Sequence, residues 1–157
     1  MKTLENKVAL ITGSSRGLGR AIAERYAELG AHIIINYTKN QSAADEVLNI
    51  ITAKGVKAIA VHADINKPEE ISHLFQEALA AFARIDIVVA NAGLEMVDVP
   101  VDEITETQFK KLFNLNTKGT FFTLQEAAKN VADGGCIINI SSSTTIYLFG
   151  GFYKYTT

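Results

Sequence analysis

Val8-Ala9-Leu10-Ile11-Thr12-Gly13-Ser14-Ser15-Arg16-Gly17-Leu18-Gly19 contains the start of three elements in immediate succession. The apolar residues 8–11 read as a buried strand. A turn with glycines at 13, 17 and 19 follows. Arg20-Ala21-Ile22-Ala23-Glu24-Arg25-Tyr26-Ala27-Glu28-Leu29 then reads as a helix that stops at Gly30. Strand, glycine turn and helix N-terminus together form a pyrophosphate site. Backbone N–H groups and the positive end of the helix dipole point at the anion, and missing Cβ atoms let it approach. Glycine turns also join strands to helices where nothing binds, so the rest of the chain has to decide.

Ile33-Ile34-Ile35 is a second apolar run, followed by the polar break Asn40-Gln41-Ser42. Ala44, Val47, Leu48 and Ile51 lie on one helical face, and Gly55 stops that helix. Ala58-Ile59-Ala60-Val61 is a third strand. Pro68 opens a helix in which Ile71, Leu74, Phe75, Ala78, Leu79 and Phe82 recur at steps of three and four. Ile87-Val88-Val89-Ala90 is a fourth strand. Thr105 and Gln108 have capping-box spacing and begin a helical region carrying Phe109, Leu112 and Phe113. A second helical stretch, residues 119–131, precedes the turn Asp133-Gly134-Gly135 and a fifth strand over 136–140.

These strands are continuously apolar, not alternating. That marks a sheet covered on both faces, and strands alternating with helices imply parallel pairing. The expected architecture is one doubly wound α/β domain over residues 1–157, with no linker or repeat dividing it. Fold class alone does not settle function, since flavodoxin-like domains share this pattern.

Composition narrows the class. The 157 residues are 48% hydrophobic and 20% charged with a net charge of -2, enough for one sizeable core. No basic patch points to nucleic acid, and no run approaches the ~18 apolar residues of a membrane span. Residues 1–7 lack the apolar core of a signal peptide and include Glu5, so a cytoplasmic protein is expected. One cysteine, Cys136, excludes a disulfide framework; at the head of an apolar run it is expected to be buried and inert. His32, His62 and His73 match no metal-ligand spacing, and no metal is expected.

The turn is not a phosphate loop of the Gly-Lys-Ser/Thr type, because Gly17 is followed by Leu18. A methyltransferase also uses a glycine turn on such a sheet, commonly with an acid at the end of the second strand. An acid in that place would likewise bind the ribose 2′-OH of NAD. Here the strand ends Asn36-Tyr37-Thr38-Lys39, without a carboxylate. Arg16, Lys39 and the hydroxyls of Ser15 and Thr38 fit a 2′-phosphate instead, which points to NADP(H).

Together these residues resemble the short-chain dehydrogenase/reductases, with a leaning to the 3-ketoacyl-carrier-protein-reductase-like branch. Thr12-Gly13-Ser14-Ser15-Arg16-Gly17-Leu18-Gly19 is similar to that family's Thr-Gly-x-x-x-Gly-x-Gly turn. Asp64-Ile65 resembles its adenine-contacting pair. Asn91-Ala92-Gly93 resembles its Asn-Ala-Gly signature. Asn116 matches its tetrad asparagine, and Ile140-Ser141-Ser142-Ser143 matches the segment bearing its catalytic serine. The resemblance covers essentially the whole chain. It implies a Rossmann-type fold and a cofactor site of Gly13, Ser15, Arg16, Gly17, Leu18, Gly19, Thr38, Lys39, Asp64, Ile65, Asn91, Ala92 and Gly93.

The resemblance also implies the chemistry: a ketone and a secondary alcohol interconverted with NADP(H), a tyrosine exchanging the proton. Tyr155 stands thirteen residues after Ser142, the family spacing, and is preferred over Tyr147 and Tyr153. Ser142 would donate to the substrate oxygen; Ser141 or Ser143 takes its place if the register slips by one. Asn116 would hold a water that links the family's lysine to solvent, although alone it also fits a helix cap. A tyrosine of pKa ~10 is poorly matched to neutral pH. A lysine four residues on would share its helical face and favour phenolate.

That lysine would fall beyond Thr157, as would a further strand and the substrate loop. The chain therefore reads as the N-terminal portion of a longer reductase domain, and the 157-residue piece is expected to have little or no activity. The rival reading is a non-catalytic nucleotide-binding or scaffolding homologue. The resemblance further implies a homodimer or homotetramer of the complete protein. Residues 119–122 and 94–100 select no substrate among 3-ketoacyl thioesters, steroids, sugars and polycyclic ketones.

Overall fold

Alternate residues of each strand serve opposite layers, which is why the apolar runs are unbroken. The computed structural model describes residues 3–96 and 99–142. Five parallel strands, β1 (Val8–Ile11), β2 (His32–Tyr37), β3 (Ala58–His62), β4 (Ile85–Ala90) and β5 (Val131–Asn139), lie in the order β3-β2-β1-β4-β5. Ala9, Ile11, Ile33 and Ile35 pack against α1 (Gly17–Glu28) and α2 (Gln41–Thr52) through Ala23, Ala27, Ala44, Val47 and Ile51. Val8, Leu10, Ile34 and Val88 pack on the other face against α3 (Pro68–Phe82), through Ile71, Leu74, Phe75 and Ala78.

The local signals act as expected. Pro68 occupies the first turn of α3, where a missing N–H costs nothing. Thr105 and Gln108 form a reciprocal capping box at the start of α4 (Glu106–Phe113). Gly30 and Gly55 take positive φ, +96° and +82°, just past the helices they stop.

Three expectations need correction. The helical regions around 106–113 and 119–131 are one continuous helix. A π-helical segment, Asn114–Gly119, joins α4 to α5 (Thr120–Asn130). Asn116 lies inside it and caps nothing. The Asp133-Gly134-Gly135 turn does not precede β5 but sits within it as a bulge: Ile85 pairs with Val131 and Ile87 with Cys136, the extra residues looping out with Gly134 at φ +74°. Cys136 is exposed, not buried. β5 pairs only with β4 among the described residues.

Strand order reverses between β1 and β4, both starting connections that leave in opposite directions. Ligands in open α/β sheets bind at the carboxyl ends of strands, at such a switch point. Every described residue of the candidate site lies there.

Candidate functional site

The glycine turn has two halves that differ in how their backbone N–H groups are used. The N–H groups of Thr12, Gly13 and Ser14 are consumed internally, by the Val89 carbonyl at 3.0 Å, Asn36 Oδ1 at 2.9 Å and the Asn36 carbonyl at 3.0 Å. The next five, from Ser15 to Gly19, meet no acceptor among the described residues. No side chain caps α1, and its first turn carries no acid. Gly17 has φ +56° and open space where a Cβ would be, and Leu18 beside it is 57% exposed. Five donors at an uncapped helix end, with an open approach, suit a phosphate group.

The turn is held against the segment after β4. Thr12 Oγ1 accepts the N–H groups of Asn91 and Ala92, each at 2.9 Å. The Asn91 amide donates back to the Thr12 carbonyl at 2.9 Å. A Cβ on Gly13 would lie 3.0 Å from the Ala92 Cα, and one on Gly19 would lie 2.5 Å from the Asn91 Nδ2. These two glycines are therefore needed for close approach of backbones as much as for access.

Asn36, Ser14 and Thr12 build the site although none is among the cofactor-binding residues expected from the sequence. Ser14 Oγ donates to the Ile11 carbonyl and accepts the Asn36 N–H, fully buried. Asn36 is 1% exposed. Its Oδ1 takes the Gly13 N–H and its Nδ2 donates to the Ala63 carbonyl at 3.0 Å. The available signal was a lone amide ending an apolar strand, where a buried polar group has to find partners.

Beyond β3, Asp64 Oδ1 accepts from the backbone and amide of Asn66, and its own N–H donates to Glu70 Oε2 at 2.7 Å. Lys67, then the Asp64 N–H, hold the Glu70 carboxyl below its usual value. Ile65 is buried and presses on the π-helical segment, where a Cβ on Gly119 would lie 2.5 Å from its carbonyl oxygen.

Asn116 projects from that segment to Leu94, with Oδ1 accepting its N–H at 2.8 Å and Nδ2 donating to its carbonyl at 2.9 Å. π-Helical turns are rare and cluster at functional sites. A cleft of about 400 Å³ opens beside it, lined among others by Asn91, Gly93, Phe113, Asn116, Asn139 and Ser142. The fold thus brings Asn91, Ala92, Gly93, Asn116 and Ser142 to one cavity. Tyr155 lies outside the described residues.

The sequence profile of the short chain dehydrogenase family matches residues 7–157. The chain belongs to that family. As a short chain dehydrogenase it is 45% identical over 141 residues to the hydroxynaphthalene reductase-like protein Arp2 of Metarhizium brunneum, covering 90% of this chain and 52% of that protein. It is 47% identical over 136 residues to the tetrahydroxynaphthalene reductase PfmaG of Pestalotiopsis fici, covering 87% and 49%. A short chain dehydrogenase of Burkholderia cenocepacia, solved in complex with NADP, superposes with a TM-score of 0.89 at 34% identity, over 94% of this chain and 60% of that one. The chain spans about half the length of these curated relatives.

In this short chain dehydrogenase the cations near the turn differ in commitment. Arg20 is engaged by Glu24 at 2.7 Å and Glu46 at 3.0 Å, and these hydrogen bonds raise its pKa further. Arg16 and Lys39 are exposed and pair with no acid among the described residues. Thr38 Oγ1 donates to the Ala63 carbonyl at 3.1 Å. Among the described residues no helix is long and apolar enough to cross a membrane.

Proposed function

We propose that this chain is the NADP(H)-binding portion of a reductase that interconverts a ketone and a secondary alcohol. One observation carries the reading. The N–H row of residues 15–19, without acceptors among the described residues, and the cleft containing Asn116 and Ser142 share one end of the sheet, joined by the Thr12–Asn91 contacts. In this reading Ser15, Gly17, Leu18 and Gly19 hold the pyrophosphate, with Gly13 supporting the turn. Arg16, Thr38 and Lys39 hold the 2′-phosphate. Asp64 and Ile65 border the adenine, and Asn91, Ala92 and Gly93 the nicotinamide ribose. The solved Burkholderia relative carries NADP, which supports the choice.

Bound NADP(H) would supply or withdraw the hydride. The protein's part is to orient the carbonyl and manage one proton. Ser142 donates a hydrogen bond to the substrate oxygen, and Tyr155 exchanges the proton with it. A phenol of pKa ~10 needs a neighbouring cation to work near neutrality. The family's lysine would stand four residues past Tyr155, beyond Thr157, so a polypeptide of residues 1–157 alone is proposed to be inactive. Relatives named for hydroxynaphthalene make a polycyclic phenolic ketone the first substrate to try. Assembly as a homo-oligomer in the cytoplasm belongs to the same proposal, and exposed Phe109 and Phe121 on the long helix are compatible with it.

The test is a fluorescence titration of the full-length protein with NADPH and NADH, followed by reduction assays with polycyclic ketones. Tighter NADPH binding and ketone-dependent oxidation of NADPH are expected. Preference for NADH would overturn the cofactor assignment, and binding without turnover of any ketone would favour a non-catalytic homologue.

A further inference from the structure

Asn36 ties the end of β2 to two other segments at once. Its Oδ1 accepts the Gly13 N–H in the glycine turn at 2.9 Å. Its Nδ2 donates to the Ala63 carbonyl, beyond β3, at 3.0 Å. That same carbonyl accepts Thr38 Oγ1 from the end of β2 at 3.1 Å. Its backbone exchanges two further bonds with Ser14, N–H to Oγ at 3.1 Å and carbonyl from N–H at 3.0 Å. The Asn36 side chain is buried, so its own polar atoms depend on these partners.

We infer that Asn36 is a positioning residue that locks the pyrophosphate turn, the 2′-phosphate residues and the adenine-side loop into one cradle. The inference rests on the cofactor reading above. It also requires a carboxamide specifically. The group has to accept from one neighbour and donate to another in the same plane. Among side chains of this size and shape, an amide or a protonated acid does both. A carboxylate in this place would keep the Gly13 bond but set a second oxygen against the Ala63 carbonyl. Buried and facing an acceptor, it would titrate above the ordinary carboxylate range. Protonation would restore the donor, so the defect should heal on acidification.

Asn36→Asp in the full-length protein tests this, with NADPH affinity measured by fluorescence against pH. The readout is the ratio of variant to parent dissociation constants at each pH. Tyr37 at the end of β2, Lys39 just past it, His62 and Asp64 on the β3 side, and Arg16 in the turn are present in both proteins. Their titration, and that of the ligand phosphate, divides out of the ratio. The ratio is expected to be about tenfold or more near pH 8, falling to within about threefold near pH 5.5. A ratio that stays flat with pH, or stays near one, overturns the inference.

Asn36→Ala provides the second arm, and remains informative if the acid variant does not fold. It is compared with Asp86→Asn, at the opposite end of the sheet, as a control for general destabilisation. Asn36→Ala should weaken NADPH by about tenfold while the control leaves it within about twofold. Equal effects of the two overturn the positioning role. Parent protein that fails to bind NADPH at all instead defeats the cofactor reading on which this rests.

Discussion

Both ends of the Asn116 carboxamide are committed to the backbone of one residue, Leu94. The side chain is therefore a strut between the π-helical segment and the segment after β4, which line the same cleft. Asn116→Ala would orphan a half-buried N–H and a carbonyl, at a cost of about 1–3 kcal/mol. In the full-length protein we expect lower thermal stability and a lower kcat with NADPH affinity little changed. A variant with parental kcat would remove Asn116 from the machinery.

Gly119 faces Ile65 so closely that a single methyl group has no room. Gly119→Ala gains ~1 kcal/mol of helix propensity but forces apart two backbones, typically costing about 1–3 kcal/mol. Since Ile65 belongs to the proposed adenine border, the displacement should also weaken NADPH severalfold. Calorimetry and titration on the same sample check both. A more stable variant with full affinity would contradict the contact.

Arg16 carries a guanidinium that no carboxylate neutralises among the described residues, unlike Arg20. Arg16→Ala should weaken NADPH by roughly 10–100-fold, as expected for a lost charge-assisted bond of about 1.5–3 kcal/mol. NADH should be almost unaffected. Equal losses for the two dinucleotides would place Arg16 away from the 2′-phosphate.

Asp86, 3% exposed, sits at the other end of the sheet. Burial opposes its ionisation. The Arg84 guanidinium, the Val8 N–H at 2.9 Å and Lys7 at 3.3 Å outweigh that and hold its pKa below the usual value. A carboxyl whose folded pKa is depressed contributes stability above its unfolded pKa of ~3.9. That contribution disappears as pH falls through the folded value. Both cations are half exposed, so solvent screening keeps the effect small. Asp86→Asn should cost about 1–2 kcal/mol at neutral pH and flatten the acid limb of the stability profile. Denaturant melts at neutral and acid pH measure it, and an unchanged acid limb in the variant would refute the account.

The strands and helices were legible because burial on both faces writes continuous apolar runs, and amphipathic helices write steps of three and four. The glycine turn and Asn91, Asn116 and Ser142 were legible as a set by resemblance. Other features were not. Asn36, which fills the end of β2 with hydrogen bonds, carries no signal beyond a lone amide closing an apolar run. Cys136 looked buried because its run is apolar, but an apolar run does not say which side chains the neighbouring segments cover, and among the described residues Cys136 is exposed. The π-helical join between α4 and α5 has no periodicity of its own to betray it.

Local composition determined the elements, the glycine turn and the absence of an acid after β2. Those depend on backbone sterics and on patterns a few residues long. Only the tertiary structure decided which of those pieces touch. Thr12 meets Asn91 across 79 positions, Asn36 meets Ala63 across 27, and Asn116 meets Leu94 across 22. Such pairs are set by strand order and by how two backbones approach. A strand's own sequence records that it is covered, but not by whom.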